Sequence, residues 1–200
     1  MAISFIVVTS KEDNTNERYT NEPSTEQVNI KHLKGNENSN VKFVEYSDLQ
    51  CPACGAYYPI VKQIVKEFGD KISFEYRHFP LKSIHANAQA AAIAAEAAGL
   101  QGKFWEMHDI LFERQKEWSG ERGKNIFSKY AKEIGIDVLK FESDIEFNES
   151  IKNKVKDDFQ SGINLKVNAT PTFFLNGERM QNPRSYEEFR SIIQQFILAQ

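Results

Sequence analysis

The chain is poor in the residues that would brace a fold covalently and in those that would bind a polyanion. Of 200 residues only two are cysteine, Cys51 and Cys54. A single pair so close together cannot supply the framework of bridges that staples a small secreted domain. A crosslink there closes too short a loop to constrain the unfolded chain much, so oxidation of the pair points to chemistry. Positive charge is also short: 25 Lys and Arg stand against 28 Asp and Glu, which leaves no basic field for a nucleic-acid backbone and sets nucleic acid aside as a partner. Four histidines, His32, His78, His85 and His108, have no zinc-knuckle spacing with the cysteines, so no metal site is expected. Internal repeats and low-complexity tracts are absent.

Long apolar runs are missing too. The longest, Met1–Val8, falls well below the ~20 residues that cross a bilayer as a helix. It has neither a positive n-region nor a clear cleavage site, so it is not a complete signal peptide. Residues 1–40 are expected to be an N-terminal arm. In that reading Met1–Val8 is the remnant of an export signal or membrane anchor, and the polar, aperiodic stretch to Asn40 is a tether with a short edge strand over Val28–Leu33. The alternative is an ordinary N-terminal strand.

What is present suffices for one well-buried core: 40% of residues are hydrophobic and 12% aromatic. Val41–Tyr46 has the β-branched and aromatic content of a strand. Tyr57, Val61, Ile64, Val65 and Phe68 then recur at helical spacing until Gly69, with Pro59 expected to kink that helix. Ile72–Tyr76 is a second strand, which completes a βαβ unit with a parallel pair. From Ser83 to Ile163 the period is helical. Nine alanines between Ala86 and Ala98 allow close helix packing. Asp137 is expected to cap one later helix, and Ile151, Val155 and Phe159 mark another. The charges from Lys152 to Asp158 are expected to form a solvated face. Thr172–Leu175, the hairpin signal Asn176–Gly177 and a return strand over Glu178–Gln181 follow. A capping box at Ser185 and Glu188 then opens the last helix. The predicted fold class is α/β, with βαβ and ββα halves over 41–82 and 164–200 interrupted by a helical insertion over 83–163.

Cys51-Pro52-Ala53-Cys54 directly follows a strand and opens a helix. The first sulfur sits where unpaired N–H groups and the positive end of the helix dipole favour a thiolate, so Cys51 is the candidate nucleophile. Cys54, one turn on and more enclosed, is the resolving thiol. Pro52 occupies the position where a helix tolerates proline best. Two other readings, a zinc half-site and a pair of inert core cysteines, fit this placement less well.

Several segments in order resemble the DsbA-like branch of the thioredoxin superfamily: Phe43-Val44-Glu45-Tyr46, Cys51-Pro52-Ala53-Cys54, Tyr76-Arg77-His78-Phe79-Pro80-Leu81, the alanine-rich helix, Gly102-Lys103-Phe104-Trp105 and Ala169-Thr170-Pro171-Thr172-Phe173-Phe174. The resemblance runs from about Val41 to the C-terminus. It implies a thioredoxin-like fold with a helical insertion, and a cis bond at Thr170–Pro171 whose backbone offers a substrate-binding edge across from the cysteines. It also implies that Glu45 is a buried acid beneath Cys54, able to accept its proton. Ala53 stands where the family carries a histidine, so Pro52 and Ala53 are read as residues that tune the redox pair, and the extreme acidity of DsbA itself does not carry over. His108, Trp105 and Phe104 are expected to be packing residues.

The expected function is a thiol-disulfide oxidoreductase, foremost an oxidase that introduces disulfides into exported proteins through a mixed disulfide on Cys51. Isomerase or reductase activity of the same fold, or a non-redox peptide-binding module, are the alternatives. The Cys51–Cys54 disulfide serves as the redox group, with no other cofactor. Expected partners are reduced or unfolded exported proteins and a membrane thiol oxidase that reoxidises the pair. The expected location is outside the cytoplasmic membrane, and the expected state is monomeric.

Overall fold

The computed structural model describes residues 30–120 and 124–199. The expected signal or anchor remnant at Met1–Val8 and most of the tether lie outside the described residues. Five strands form one mixed sheet in the order β1-β3-β2-β4-β5. At its centre β2 (Lys42–Ser47) runs parallel to β3 (Ser73–His78), joined by the crossover helix α1 (Pro52–Phe68). β4 (Thr172–Leu175) lies antiparallel against the other side of β2, and the short β5 (Glu178–Arg179) completes that edge. Asn176 and Gly177 both have positive φ, 50° and 85°, which a two-residue hairpin requires and only such residues adopt readily. The return strand covers Glu178–Arg179 and stops short of the expected Gln181.

The opposite edge corrects the sequence reading. The edge strand expected over Val28–Leu33 is β1 (His32–Gly35), antiparallel to β3. Residues 32–40, read as tether, are therefore part of the fold, with His32 and Ser39 buried. The polarity that suggested a tether belongs to residues that satisfy backbone groups. Ser39 Oγ donates to the Lys71 carbonyl and accepts from Val41 N at 3.0 Å.

Between β3 and β4 the chain makes α2 (Ala88–Gly99), α3 (Phe104–Glu113), α4 (Gln115–Trp118), α5 (Lys124–Glu133), α6 (Val138–Phe147) and α7 (Glu149–Asn164); α8 (Tyr186–Leu198) ends it. Asp137 caps α6 through its side chain, accepting from Lys140 N at 3.0 Å. At α8 Ser185 Oγ accepts from Glu188 N at 3.1 Å, while the Glu188 carboxylate accepts from Arg184 N at 2.7 Å, one residue before the position an ideal capping box uses. α1 runs unbroken through Pro59.

Strand alternation sorts the core into two layers. Phe43, Phe74, Phe173 and Leu175 join Ile64 of α1 and Phe189 and Ile193 of α8 in the main cluster. Tyr46, Phe79, Val167 and Phe174 form the second, backed by Phe159 of α7. α7 approaches closely because residue 162 is glycine: a Cβ there would lie 2.6 Å from the Phe79 ring.

The same helix corrects the solvated-face expectation. Asp158 is buried, accepts from His78 N at 3.0 Å and pairs with Lys154 at 2.6 Å. A carboxylate is placed there because the end of β3 would otherwise leave that N–H unsatisfied.

Candidate redox site

β2 ends at Ser47, and three residues turn the chain into α1. Cys51 is the N-cap of that helix and Pro52 enters its first turn, which contains no acidic residue. Cys51 N donates to Asp48 O at 3.0 Å, closing the turn, and Asp48 N reaches Cys54 Sγ at 3.5 Å. Cys51 is 7% exposed and Cys54 fully covered, while Pro52 and Ala53 form the exposed surface of the motif. Both cysteines are free thiols, so the structure describes the reduced pair.

The two sulfurs have opposite acidities. The Cys51 thiol is lowered to about 5 by the hydrogen bond from Cys54, against the opposing effect of burial, and helped by Thr170 and the Cys54 and Ala53 N–H groups. Cys54 is pushed well above the usual thiol range by burial and by the charge on Cys51. One thiolate is shared by the pair, and it resides on the outer sulfur.

Across the site the Thr170–Pro171 bond is cis. The Thr170 carbonyl lies 3.4 Å from Cys51 Sγ. Pro171 O is occupied by Asn182 Nδ2 at 2.8 Å, and Thr172 Oγ1 ties back to Ala169 O at 2.7 Å. These bonds hold the loop from behind.

Glu45 lies beneath the pair, 4% exposed. Burial raises its carboxyl from 4.5 to about 7, opposed only by the Ser47 hydroxyl. It floors a cavity of about 40 Å³ that is also lined by Lys34, Lys62, Trp105, His108 and Asp109. That volume has room for a water molecule or two. Trp105 and His108, expected to pack within the insertion, thus face the sheet. His108 is driven down to about 4 by burial and is neutral at pH 7.

The sequence did not reveal the clamps that hold the turn. Asp48 is completely buried: its Oδ1 accepts from Gln50 N at 2.8 Å, and its Oδ2 accepts from Leu81 N at 2.9 Å and His85 Nδ1 at 2.7 Å. Gln115 of α4 donates to Leu49 O at 2.8 Å and Cys51 O at 3.0 Å. Gly55 leaves room for it, since a Cβ at 55 would meet Gln115 Oε1 at 2.8 Å. Gln50 bonds Ser119 O and Asn87 N. Aspartate in a strand-to-helix turn was a readable signal. Gln115, more than sixty residues away in the chain, gave none.

One group among the described residues brings metal-ligand atoms together: His32 of β1, His78 of β3 and Glu96 of α2, all buried, with donor atoms within 4.8 Å of one another. Both imidazole Nε2 atoms meet Glu96 Oε1, at 2.6 and 3.0 Å. The hydrogen bonds make the cluster a clip between the sheet edge and the insertion. The two histidines hold Glu96 at about 2 despite its burial. Their 46-residue separation in the chain has no motif that would have signalled it.

With this geometry in hand, known proteins place the chain. A family model described as Thioredoxin matches residues 27–195. BdbD from Bacillus subtilis superposes with a TM-score of 0.74 at 23% identity, covering 84% of this chain and 93% of that one. Pseudomonas aeruginosa DsbA2 gives 0.69 at 24% identity, over 84% and 94%. In sequence the chain is similar to the Na(+)/H(+) antiporter NhaA 1 of Mycolicibacterium gilvum, 37% identical over 155 residues, which cover 76% of this chain and 24% of that protein. The corresponding figures for NhaA of Herminiimonas arsenicoxydans are 34% over 152 residues, 76% and 23%. The chain spans about a quarter of the length of these curated relatives. Among the described residues no helix is long and apolar enough to cross a membrane. The fold, the Cys51–Cys54 pair at a helix start and the cis Thr170–Pro171 bond agree with the family match: the chain belongs to the thioredoxin family and has the DsbA-type fold.

Proposed function

We propose that the protein is a thiol-disulfide oxidoreductase acting as an oxidase, outside the cytoplasmic membrane, on reduced exported proteins. The observation that carries this is the placement of the pair, with Cys51 at the start of α1 near the surface and Cys54 buried one turn on; the hydrogen bond from Cys54 lowers the Cys51 thiol to about 5 and burial raises that of Cys54. A stabilised Cys51 thiolate lowers the free energy of the reduced form, which makes the disulfide the stronger oxidant.

The cycle starts from the Cys51–Cys54 disulfide. A substrate thiolate attacks Cys51 Sγ, the Cys51–Cys54 bond breaks, and Cys54 leaves as a thiolate that takes a proton from Glu45. A second substrate thiolate then attacks the substrate sulfur of the mixed disulfide and expels Cys51 as its stable thiolate. The substrate has lost two electrons and the pair has gained them. The site supports this order because only Cys51 is near the surface, and the backbone of Thr170 lies beside it, at the cis bond to Pro171, as the edge for an extended segment. Pro52 and Ala53 set the thiolate environment by their backbone N–H groups or lack of one. The redox group is the cysteine pair itself, with no further cofactor or metal in the cycle. Reoxidation falls to a membrane thiol oxidase, by transfer of both electrons in the reverse exchange. The antiporter name of the curated relatives describes proteins about four times as long, and no ion transport is assigned to this chain.

The test is the reduction potential against a glutathione series, with the thiolate followed by its ultraviolet absorbance. Thioredoxin, with a thiol near pKa 7, lies at about −270 mV and DsbA, near 3.5, at about −120 mV. A thiol near 5 places the expected potential between those two values. A value at or below about −270 mV would make the protein a reductase and overturn the oxidase reading.

A further inference from the structure

We propose that His32, His78 and Glu96 form a metal site that binds one Zn²⁺ ion and so pins the edge strand β1 and the helical insertion to the end of β3. The site takes nothing from the redox reading above and involves no residue of the cysteine cycle.

The sheet supplies two of the ligands. His32 opens β1 opposite Tyr76 of β3, and His78 ends β3 two residues beyond Tyr76. Residues directly opposite one another, and residues two apart on a strand, share a face of the sheet, so both imidazoles stand on the same face. α2 supplies the third ligand. Its buried residues are all alanine except Glu96, and those short side chains bring the helix close enough for one longer side chain to reach the strands. Aromatic contacts hold the rings in place: His32 stacks on Phe104 with ring planes 2° apart, and His78 makes T-shaped contacts with Tyr76 and Phe104 at 5.2 and 5.8 Å between centroids.

The donor set points to the ion. His32 Nε2, His78 Nε2 and Glu96 Oε1 lie within 4.8 Å of one another, and theirs is the one such group of three among the described residues. His85 and His108 each meet one carboxylate, that of Asp48 and that of Asp109. Two imidazoles and a carboxylate are a zinc ligand set, whereas the hard cations Mg²⁺ and Ca²⁺ take oxygen ligands. Zinc at about 2.0–2.2 Å from each donor sets the donors about 3.3 Å apart. The imidazole–carboxylate distances of 2.6 and 3.0 Å reach that spacing by small movements of side chains alone.

Charge is the second observation. His32, His78 and Glu96 are 6%, 1% and 1% exposed. A carboxylate taken out of water needs a compensating cation, yet the ion-pair partners of Glu96 among the described residues are the two imidazoles, with no lysine or arginine. A divalent ion supplies the charge. Each imidazole carries its proton on Nδ1 and turns the Nε2 lone pair to the metal, Glu96 binds through Oε1, and its second oxygen or a water fills the fourth position. The protons move from Nε2 to Nδ1, so none is lost, and no electron is transferred. Without the ion the same groups keep their hydrogen bonds. The ligands lie 18 and 64 residues apart along the chain, which is why no knuckle spacing marks the site.

The test uses the full chain carrying Cys51→Ala and Cys54→Ala, so that no thiolate competes for the ion. This protein is stripped of metal and titrated with Zn²⁺ against a chromophoric chelator, while the imidazole nitrogens are followed by NMR. One Zn²⁺ per chain is expected, with a melting temperature that rises with zinc concentration. Nε2 of His32 and of His78 should move from the protonated to the metal-bound range, and His85 and His108 should stay where they are. Adding His78→Asn or Glu96→Gln should weaken binding at least about tenfold. A chain that takes no zinc from the chelator overturns the site. So does zinc held with undiminished affinity by both variants, because the ion then lies elsewhere. Where a variant fails to fold, the NMR of the unmodified cluster decides: Nε2 atoms of His32 and His78 that keep their protons at saturating Zn²⁺ refute the site.

Discussion

Replacing Glu45 with glutamine should make the protein more stable, and more so as pH rises. Folding moves this carboxyl from water into the layer between β2 and α1 and raises it from 4.5 to about 7. Between those values the folded state holds a proton that the unfolded chain has released. Stability therefore falls as pH rises through the window and levels off above it. At about 1.36 kcal/mol per unit, the loss relative to an uncharged residue is about 0.4 kcal/mol at pH 4.5, about 2 at pH 6 and about 3 at pH 8. Glutamine fills the same space and cannot ionise. The assay is urea unfolding of the oxidised parent and Glu45→Gln at those three pH values, so that neither cysteine titrates. All other groups are common to both proteins and cancel in the difference. A gap of the same size at every pH, or a parent that is the more stable at pH 8, would refute a buried, unpaired carboxyl at this position.

Glu96→Leu should cost about 2–4 kcal/mol near neutral pH, because the buried Nε2 atoms of His32 and His78 lose their shared hydrogen-bond partner. The folded pKa of Glu96 is lowered to about 2, so this contribution is present above about 4.5 and is lost as pH falls toward 2. The deficit in urea midpoint should shrink accordingly, and a constant deficit counts against the clip. Gly162→Ala sets helix propensity, which favours alanine by about 1 kcal/mol, against a Cβ placed 2.6 Å from Phe79. Overpacking at about 1–3 kcal/mol should prevail. A melting temperature equal to or above the parent's would show that α7 can shift to admit the methyl.

The Cys51 and Cys54 positions, the strands on either side of them and the order of βαβ, helices and ββα followed from local sequence alone. Each rests on a short-range cause: alternation for Phe43 to Tyr46, a proline in the first helical turn, or an Asn-Gly pair that permits two positive φ angles. Residues beyond the reach of such patterns were not legible. The edge strand looked like tether because its stabilising partners, β3 and Glu96, lie some forty and sixty residues downstream. Asp158 looked solvated because its place on α7 gives no sign that it meets the backbone of β3. Gln115 clamps Cys51 only once α4 has been folded over the turn.

The sequence by itself thus determined which sulfur lies near the surface and which is enclosed, because a helix start sets both within four residues. Tertiary structure alone decided how far the acidities split. Burying Cys54 and Glu45 between strand and helix depends on surfaces that meet only when the sheet is assembled. Desolvation is a property of the assembled surroundings and not of any residue within them.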